Sequence, residues 1–260
     1  MKILTQNLLI VFAIFSIVTN SDGQSADLQK TIRYFNNLYG ADNLLINGRI
    51  YMFPNYQAKR NPFFYGEKIK NCDIIINQKT FKDNKVLYNI ENDKLIILKK
   101  INNNRLFIEL NNTLIDSFII SVNPNINIKQ TSQILYETTQ IDKFVVKKKF
   151  IKTDSLGFCE ILYQNNVTLL KKYKKEFQEK ISEETPHGMY SKQKTYLYLK
   201  KDNKFISINK KREFFKIFNF HKKEIRNFMK KNNINYGKIN DFKLIKLVRF
   251  CETFLLPSNY

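Results

Sequence analysis

The sequence predicts a β-rich α+β protein: an antiparallel β sandwich or half-open barrel, with an N-terminal helix and a C-terminal bundle of short helices. Three observations carry that prediction. Between residues 86 and 122 apolar side chains recur at every second position, the spacing that places them on one face of a strand. Leu106, Ile108 and Leu110, alternating with Arg105, Phe107 and Glu109, show it best. These runs are separated by Glu91-Asn92-Asp93-Lys94, Asn102-Asn103-Asn104 and Asn111-Asn112. Asn and Asp tolerate left-handed backbone and bond the nearby main chain, so the separators read as reversals in an antiparallel meander. After Lys210 the apolar period changes to three and four, the period of helices.

With 260 residues, 43% of them hydrophobic and 14% aromatic, the chain has ample material for a packed core. Only seven Gly and five Pro argue against glycine-rich phosphate loops, collagen-like repeats and low-complexity linkers. The net charge is +21. An AT-rich coding bias toward Lys, Asn and Ile would act along the whole chain, yet the charge is uneven. Residues 1–142 hold 16 Lys and Arg against 12 Asp and Glu, and residues 143–260 hold 28 against 11. The basicity belongs to the C-terminal half.

In chain order, Met1-Lys2 supplies a positive start, residues 8–18 an apolar run, and Ser21 and Gly23 the small residues a signal peptidase reads. A signal peptide over 1–23 is expected, and with it export to the periplasm or beyond. The run is well short of the ~20 residues a membrane-crossing helix needs, and no Cys follows it to carry a lipid anchor. Leu28, Ile32, Phe35, Leu38 and Tyr39 predict an amphipathic helix over 25–39, capped by Ser25 and stopped by Gly40. Asn47-Gly48 predicts a tight hairpin with residues 44–46 and 49–52 as its arms. The aromatic stretch 53–65 contains Pro54 and Pro62, which exclude a central strand. It is read as a plug for an open sheet end in preference to a ligand lid.

The segment Ile46-Asn47-Gly48-Arg49-Ile50-Tyr51 and the nearby Pro62-Phe63-Phe64 accompany a signal peptide, a strand-rich middle and a Lys-rich helical tail. Together they resemble a family of exported Bacteroidota proteins with no assigned activity, over most of the chain. In that family Gly-His often precedes the Pro-Phe pair, where this sequence has Arg60-Asn61. The resemblance implies a compartment and an architecture, and no reaction.

Further strands are predicted over 69–76, 144–151, 156–163 and 167–173, with Gln164-Asn165-Asn166 as a hairpin loop. Residues 126–143 are polar and without clear period. Lys147, Lys149, Lys172 and Lys174 are expected on outward faces or strand ends, where lysines block unwanted pairing between sheets. Residues 175–194, around Pro186-His187-Gly188, read as a long surface loop, and a last hairpin joins 196–200 to 204–208. The domain organisation is thus 1–23 signal peptide, 24–209 β-rich domain and 210–260 basic helical segment.

In that segment Phe214, Phe215 and Phe218 share a face, as do Ile225, Phe228 and Met229, then Leu244, Leu247, Val248 and Cys251, with Asn240 as a cap. Burying these faces pushes the basic side chains to the solvent side. Lys210, Lys211, Arg212, Lys222, Lys223, Arg226, Lys230 and Lys231 are therefore the candidate binding residues. An anionic lipid surface or an acidic protein would satisfy them. Nucleic acid is disfavoured, because the period puts Phe214, Phe218 and Phe228 on the core side and the compartment is wrong. The second reading is a periplasmic carrier holding an apolar ligand within a curved sheet beneath the 53–65 loop.

Catalytic patterns are missing from the sequence. His187 and His221 are the two histidines, too few for a multi-histidine metal site. Ser155-Leu156-Gly157 lacks the flanking glycine of a nucleophile elbow. Glu176, Glu179, Glu183 and Glu184 lie close in sequence, whereas glycoside chemistry needs two carboxylates across a cleft. Cys72, Cys159 and Cys251 form no Cys-x-x-Cys and are expected as buried thiols, not a disulfide. No cofactor and no enzymatic activity are expected.

Overall fold

The computed structural model describes residues 44–101, 104–122, 145–179, 181–201 and 204–254. The chain divides into two compact units, Met1–Asn47 and Gly48–Tyr260, and of the first only residues 44–47 are described. The expected signal peptide, the 25–39 helix and the polar stretch 126–143 lie outside the described residues.

The second unit is mostly antiparallel β-sheet with some helix. Its strands are β1 (Gly48–Ile50), β2 (Lys70–Ile76), β3 (Lys79–Asn89), β4 (Lys94–Ile101), β5 (Asn104–Leu110) and β6 (Ile115–Val122). There follow β7 (Val146–Thr153), β8 (Gly157–Gln164), β9 (Thr168–Lys174), β10 (Phe177–Gln178), β11 (Met189–Tyr190), β12 (Lys194–Lys201) and β13 (Lys204–Ser207). Eleven of them form one sheet in the order β1-β5-β4-β3-β2-β6-β7-β8-β9-β12-β13. The sheet is open, with β1 and β13 as separate edges; it is neither a closed barrel nor a pair of stacked sheets.

The reversal at Glu91–Lys94 forms where expected, with Asp93 at a left-handed φ of 60° between β3 and β4. Asn77 and Gln78 (φ 48° and 66°) make a two-residue reversal from β2 to β3 that was not predicted. The expected continuous meander is broken, however. β6 lies beside β2, not β5, and the free side of β5 is taken by β1. The Asn47-Gly48 hairpin is also corrected: residues 44–46 form a turn and bend, and Gly48–Ile50 pair with Ile108–Leu110 instead. Gly48 is needed for close approach, since a Cβ there would lie 2.0 Å from the Glu109 carbonyl oxygen. Gly48→Ala is expected to detach β1 from β5. The check is amide hydrogen exchange, with the Tyr51 amide, which donates to Phe107 O at 2.8 Å, losing protection while β7–β9 amides keep theirs.

The sheet is sharply curled. On a flat sheet β3 and β8 would be four strand spacings apart, roughly 19 Å. Yet the Tyr88 and Phe158 rings are 6.4 Å apart, and Asp93 Oδ2 accepts from the Phe158 amide at 2.9 Å. Tyr88, Phe118, Phe150, Phe158 and Tyr173 fill the bend, one ring from each of five strands. Phe64 enters from the 53–65 loop, edge-on to Phe150 at 5.4 Å and to Tyr173 at 4.7 Å. That loop is held to the sheet by Phe64 N donating to Tyr88 O at 2.8 Å and Ile90 N donating to Pro62 O at 3.0 Å. Phe64 thus plugs the curl, Phe63 packs in a separate cluster with Tyr51, Leu87 and Ile96, and Phe53 and Tyr56 stay exposed.

Curling also turns Lys172 inward, against expectation. Its ammonium lies 2.8 Å from Asp93 and donates to Phe158 O at 3.2 Å. The expected long loop over 175–194 contains β10 and β11, paired as a small separate sheet.

Three helices follow: α1 (Lys211–Ile217), α2 (Lys222–Lys231) and α3 (Asp241–Glu252). Their buried residues, among them Phe214, Ile225, Leu247 and Cys251, form one apolar cluster with Leu169 of β9 and Leu199 of β12. Asn240 caps α3 by accepting from Lys243 N at 2.9 Å. α2 ends with Asn233 left-handed (φ 49°), Asn233 N donating to Lys230 O and Ile234 N to Met229 O, the paired bonds of a Schellman stop.

Candidate functional site

Of the eight basic residues singled out, Lys222 is half-buried and the other seven are exposed. On α2 the buried stripe is Ile225 and Met229. At 3.6 residues per turn Lys223, Arg226, Lys230 and Lys231 fall within an arc of about 140° on the other side. Lys210, Lys211 and Arg212 stand at the start of α1. The two helices are joined electrostatically through Phe215, whose ring centre lies 5.7 Å from Lys211 Nζ and 5.6 Å from the Arg226 guanidinium. Lys211 and Arg226 therefore converge on one ring, and the two helices present part of one basic surface.

The fold does not neutralise these charges. Among the described residues none of the eight makes an ion pair, whereas the sheet lysines do: Lys94 with Glu109 at 3.3 Å, Lys148 with Glu160 at 2.6 Å, Lys194 with Glu176 at 2.7 Å. Glu224 lies exposed within α2 and makes no ion pair among the described residues, and three other acids near the basic helices are held by the fold. Asp241 pairs with Lys171 of β9. Glu213 accepts from the Lys210 amide at 3.0 Å and from Ser207 at 3.1 Å, and that amide first of all holds its carboxyl below the usual range. Glu252 accepts from Tyr163, Asn165 and Val167 N.

Helix stability does not account for the arrangement either. Lys222 with Arg226, and Arg226 with Lys230, are like charges four apart, each costing about 0.2–0.5 kcal/mol. Lys222 and Lys223 also sit at the positive end of the α2 dipole, where a cation is unfavourable by about 0.3–1 kcal/mol. Glu224 is the one acid in that turn.

Phe220, which the sequence reading passed over, is 93% exposed in the single 3-10 turn (Asn219–His221) between the two helices. Its signal was present: it falls out of phase with the Phe214-Phe215-Phe218 stripe, so it cannot share their buried face. His221 stacks on Phe254 at 4.1 Å.

The other candidates are placed apart from this surface. His187 is exposed in the turn before β11. Glu176 is held below the usual carboxylate range by Lys194 beside it, and Glu184 lies 3.3 Å from Lys59. Cys72, Cys159 and Cys251 are buried free thiols, and burial raises all three, Cys159 to about 11 and Cys251 to about 12. Among the described residues no group of three His, Cys, Asp or Glu could hold a metal ion, and no helix is long and apolar enough to cross a membrane.

Comparison with family models, with curated proteins and with solved structures found no match.

Proposed function

We propose that this chain is an exported, non-catalytic protein whose basic helical face docks on the anionic phospholipid surface of a membrane in the cell envelope. The observation that carries the reading is Phe220, 93% exposed between two helices whose lysines and arginines have no acidic partner among the described residues. An acidic protein would need a matching pocket for that ring. The headgroup region of a bilayer accepts an aromatic ring without one. Each Lys or Arg near an anionic leaflet contributes about 1 kcal/mol, and burying the ring about 1.5–3 kcal/mol. Three or four charges with the ring suffice for reversible, salt-sensitive docking. In this reading residues 1–23 are removed on export, the 25–39 helix packs on the β-rich domain, and 210–260 act as a bundle of short helices. The resemblance to exported Bacteroidota proteins supports the compartment.

The test is co-sedimentation with phosphatidylglycerol/phosphatidylcholine vesicles across a salt titration. Binding is expected at low salt, falling as salt rises and screening shortens. The Lys223→Glu/Arg226→Glu/Lys230→Glu variant should lose it, while Phe220→Ser should weaken it at least tenfold without changing the salt dependence. Absent binding at low salt, or binding indifferent to salt or to the charge reversals, rejects the reading.

A further inference from the structure

A cavity of about 270 Å³ lies between the 53–65 loop and the sheet, with Tyr190 of β11 along one wall. Its other residues sort by exposure into a floor and a mouth. Tyr51, Phe63 and Leu87 are buried and, with half-buried Phe107, make an apolar floor. Tyr56, 80% exposed, stands at the mouth with Arg60 and Glu67, both exposed. Phe53 locks the floor together, meeting Phe107 edge-on at 4.9 Å, Tyr51 at 5.1 Å and Phe63 at 6.0 Å. The loop is fastened on two sides: to β3 as described above, and to the β10–β11 region by Lys59 N donating to Gly188 O at 3.1 Å and Tyr190 N to Lys59 O at 2.9 Å. Such a cavity is built before any ligand arrives.

The mouth carries one charge of each sign, and the fold gives neither an opposite partner. Among the described residues Arg60 and Glu67 make no ion pair, with each other or with a third group. The cations around them are occupied: Lys59 lies 3.3 Å from Glu184, and Lys175 donates to Asn61 O at 2.8 Å and Phe63 O at 2.9 Å. Arg60 is anchored through Nη1, which donates to Tyr190 O at 3.1 Å, and keeps its remaining guanidinium donors. Two opposite charges that line one small cavity without meeting each other are both completed by a ligand that carries both signs. A ligand with a single charge would instead meet one like charge at the mouth, which is costly.

We propose that this cavity binds a free aromatic α-amino acid, its ring on the apolar floor against Phe53 and Phe107, its carboxylate accepting from the Arg60 guanidinium and its ammonium donating to Glu67. The size agrees, since an apolar cavity of about 150 Å³ takes up benzene and the remaining space suits the short zwitterionic arm. The inference goes beyond membrane docking and is independent of it, because the site draws on no residue of the helices.

Isothermal titration of the full chain with L-phenylalanine tests it, beside three analogues that each lack one part: phenethylamine has no carboxylate, hydrocinnamate no ammonium and L-alanine no ring. Saturable binding is expected for phenylalanine, and binding weaker by about tenfold or more for each analogue, the loss that follows when a charged hydrogen bond or a buried ring is removed. Glu67→Gln should weaken phenylalanine by a similar factor while sparing hydrocinnamate, which has no ammonium to lose a partner. Arg60→Gln should do the converse, weakening phenylalanine and sparing phenethylamine. Glu67 is exposed, so Glu67→Gln should melt with the parent, which separates lost binding from lost fold. No saturable phenylalanine binding, an analogue that binds as tightly as phenylalanine, or undiminished binding by Glu67→Gln overturns the proposal.

Discussion

Phe64→Ala is expected to lower the unfolding free energy by about 3–5 kcal/mol, the range for truncating a fully buried aromatic side chain. Phe64 is 1% exposed, and its ring lies within 6.1 Å of the Tyr88, Phe150 and Tyr173 rings, whose strands β3, β7 and β9 are brought together by the curl of the sheet. Neighbouring strands cannot close over the space it leaves, because each is fixed by pairing on both sides. Urea denaturation should show the midpoint fall with an unchanged slope. Phe64→Leu, which keeps most of the volume, should cost well under half as much. Equal losses in the two variants would mean that the ring does not fill the bend.

Glu252→Gln is expected to cost about 2–3 kcal/mol at neutral pH and little in acid. Glu252 is buried at the last turn of α3, where the helix dipole disfavours a carboxylate. It is held there by the β8–β9 hairpin, accepting from Tyr163 OH at 2.6 Å, Val167 N at 3.0 Å and Asn165 Nδ2 at 3.1 Å. Glutamine keeps one acceptor oxygen and turns an NH2 toward donors, leaving at least one orphaned. Burial alone would raise the carboxyl pKa, but these donors outweigh it and the value lies below the ordinary 4.5. A depressed folded-state value means that the charged form is the stabilised one. Its contribution is therefore complete above about 4.5 and lost as pH falls through the lower folded value. Denaturation of parent and variant across that range should give curves that converge in acid; a constant gap would show that the carboxylate's charge plays no part.

Much of the local structure was legible in the residues. The two-residue alternation at Leu106-Ile108-Leu110 marks β5, Asp93 marks a reversal by its tolerance of left-handed backbone, and Asn240 marks the start of α3. Each depends on neighbours within a few positions. Asn47-Gly48 misled for the same reason, since a glycine needed for close approach to Glu109 reads like one needed for a turn. The basic face was legible as a list of lysines, but not the engagement of Asp241, Glu213 and Glu252 by the fold, which leaves Glu224 as the acid exposed among those charges.

The sequence by itself determined that the body is antiparallel sheet, that the tail is helical and where its charge is concentrated, because side-chain period and turn chemistry act over a few residues. Only the tertiary structure decided that β6 returns beside β2, that β1 takes the edge of β5, that Lys172 turns inward to Asp93, and that the aromatic loop leaves a cavity beside Tyr190. Strand partners and the curl of a sheet are set by which distant surfaces close on each other, and a residue's alternation along its own strand is the same whichever neighbour it finds.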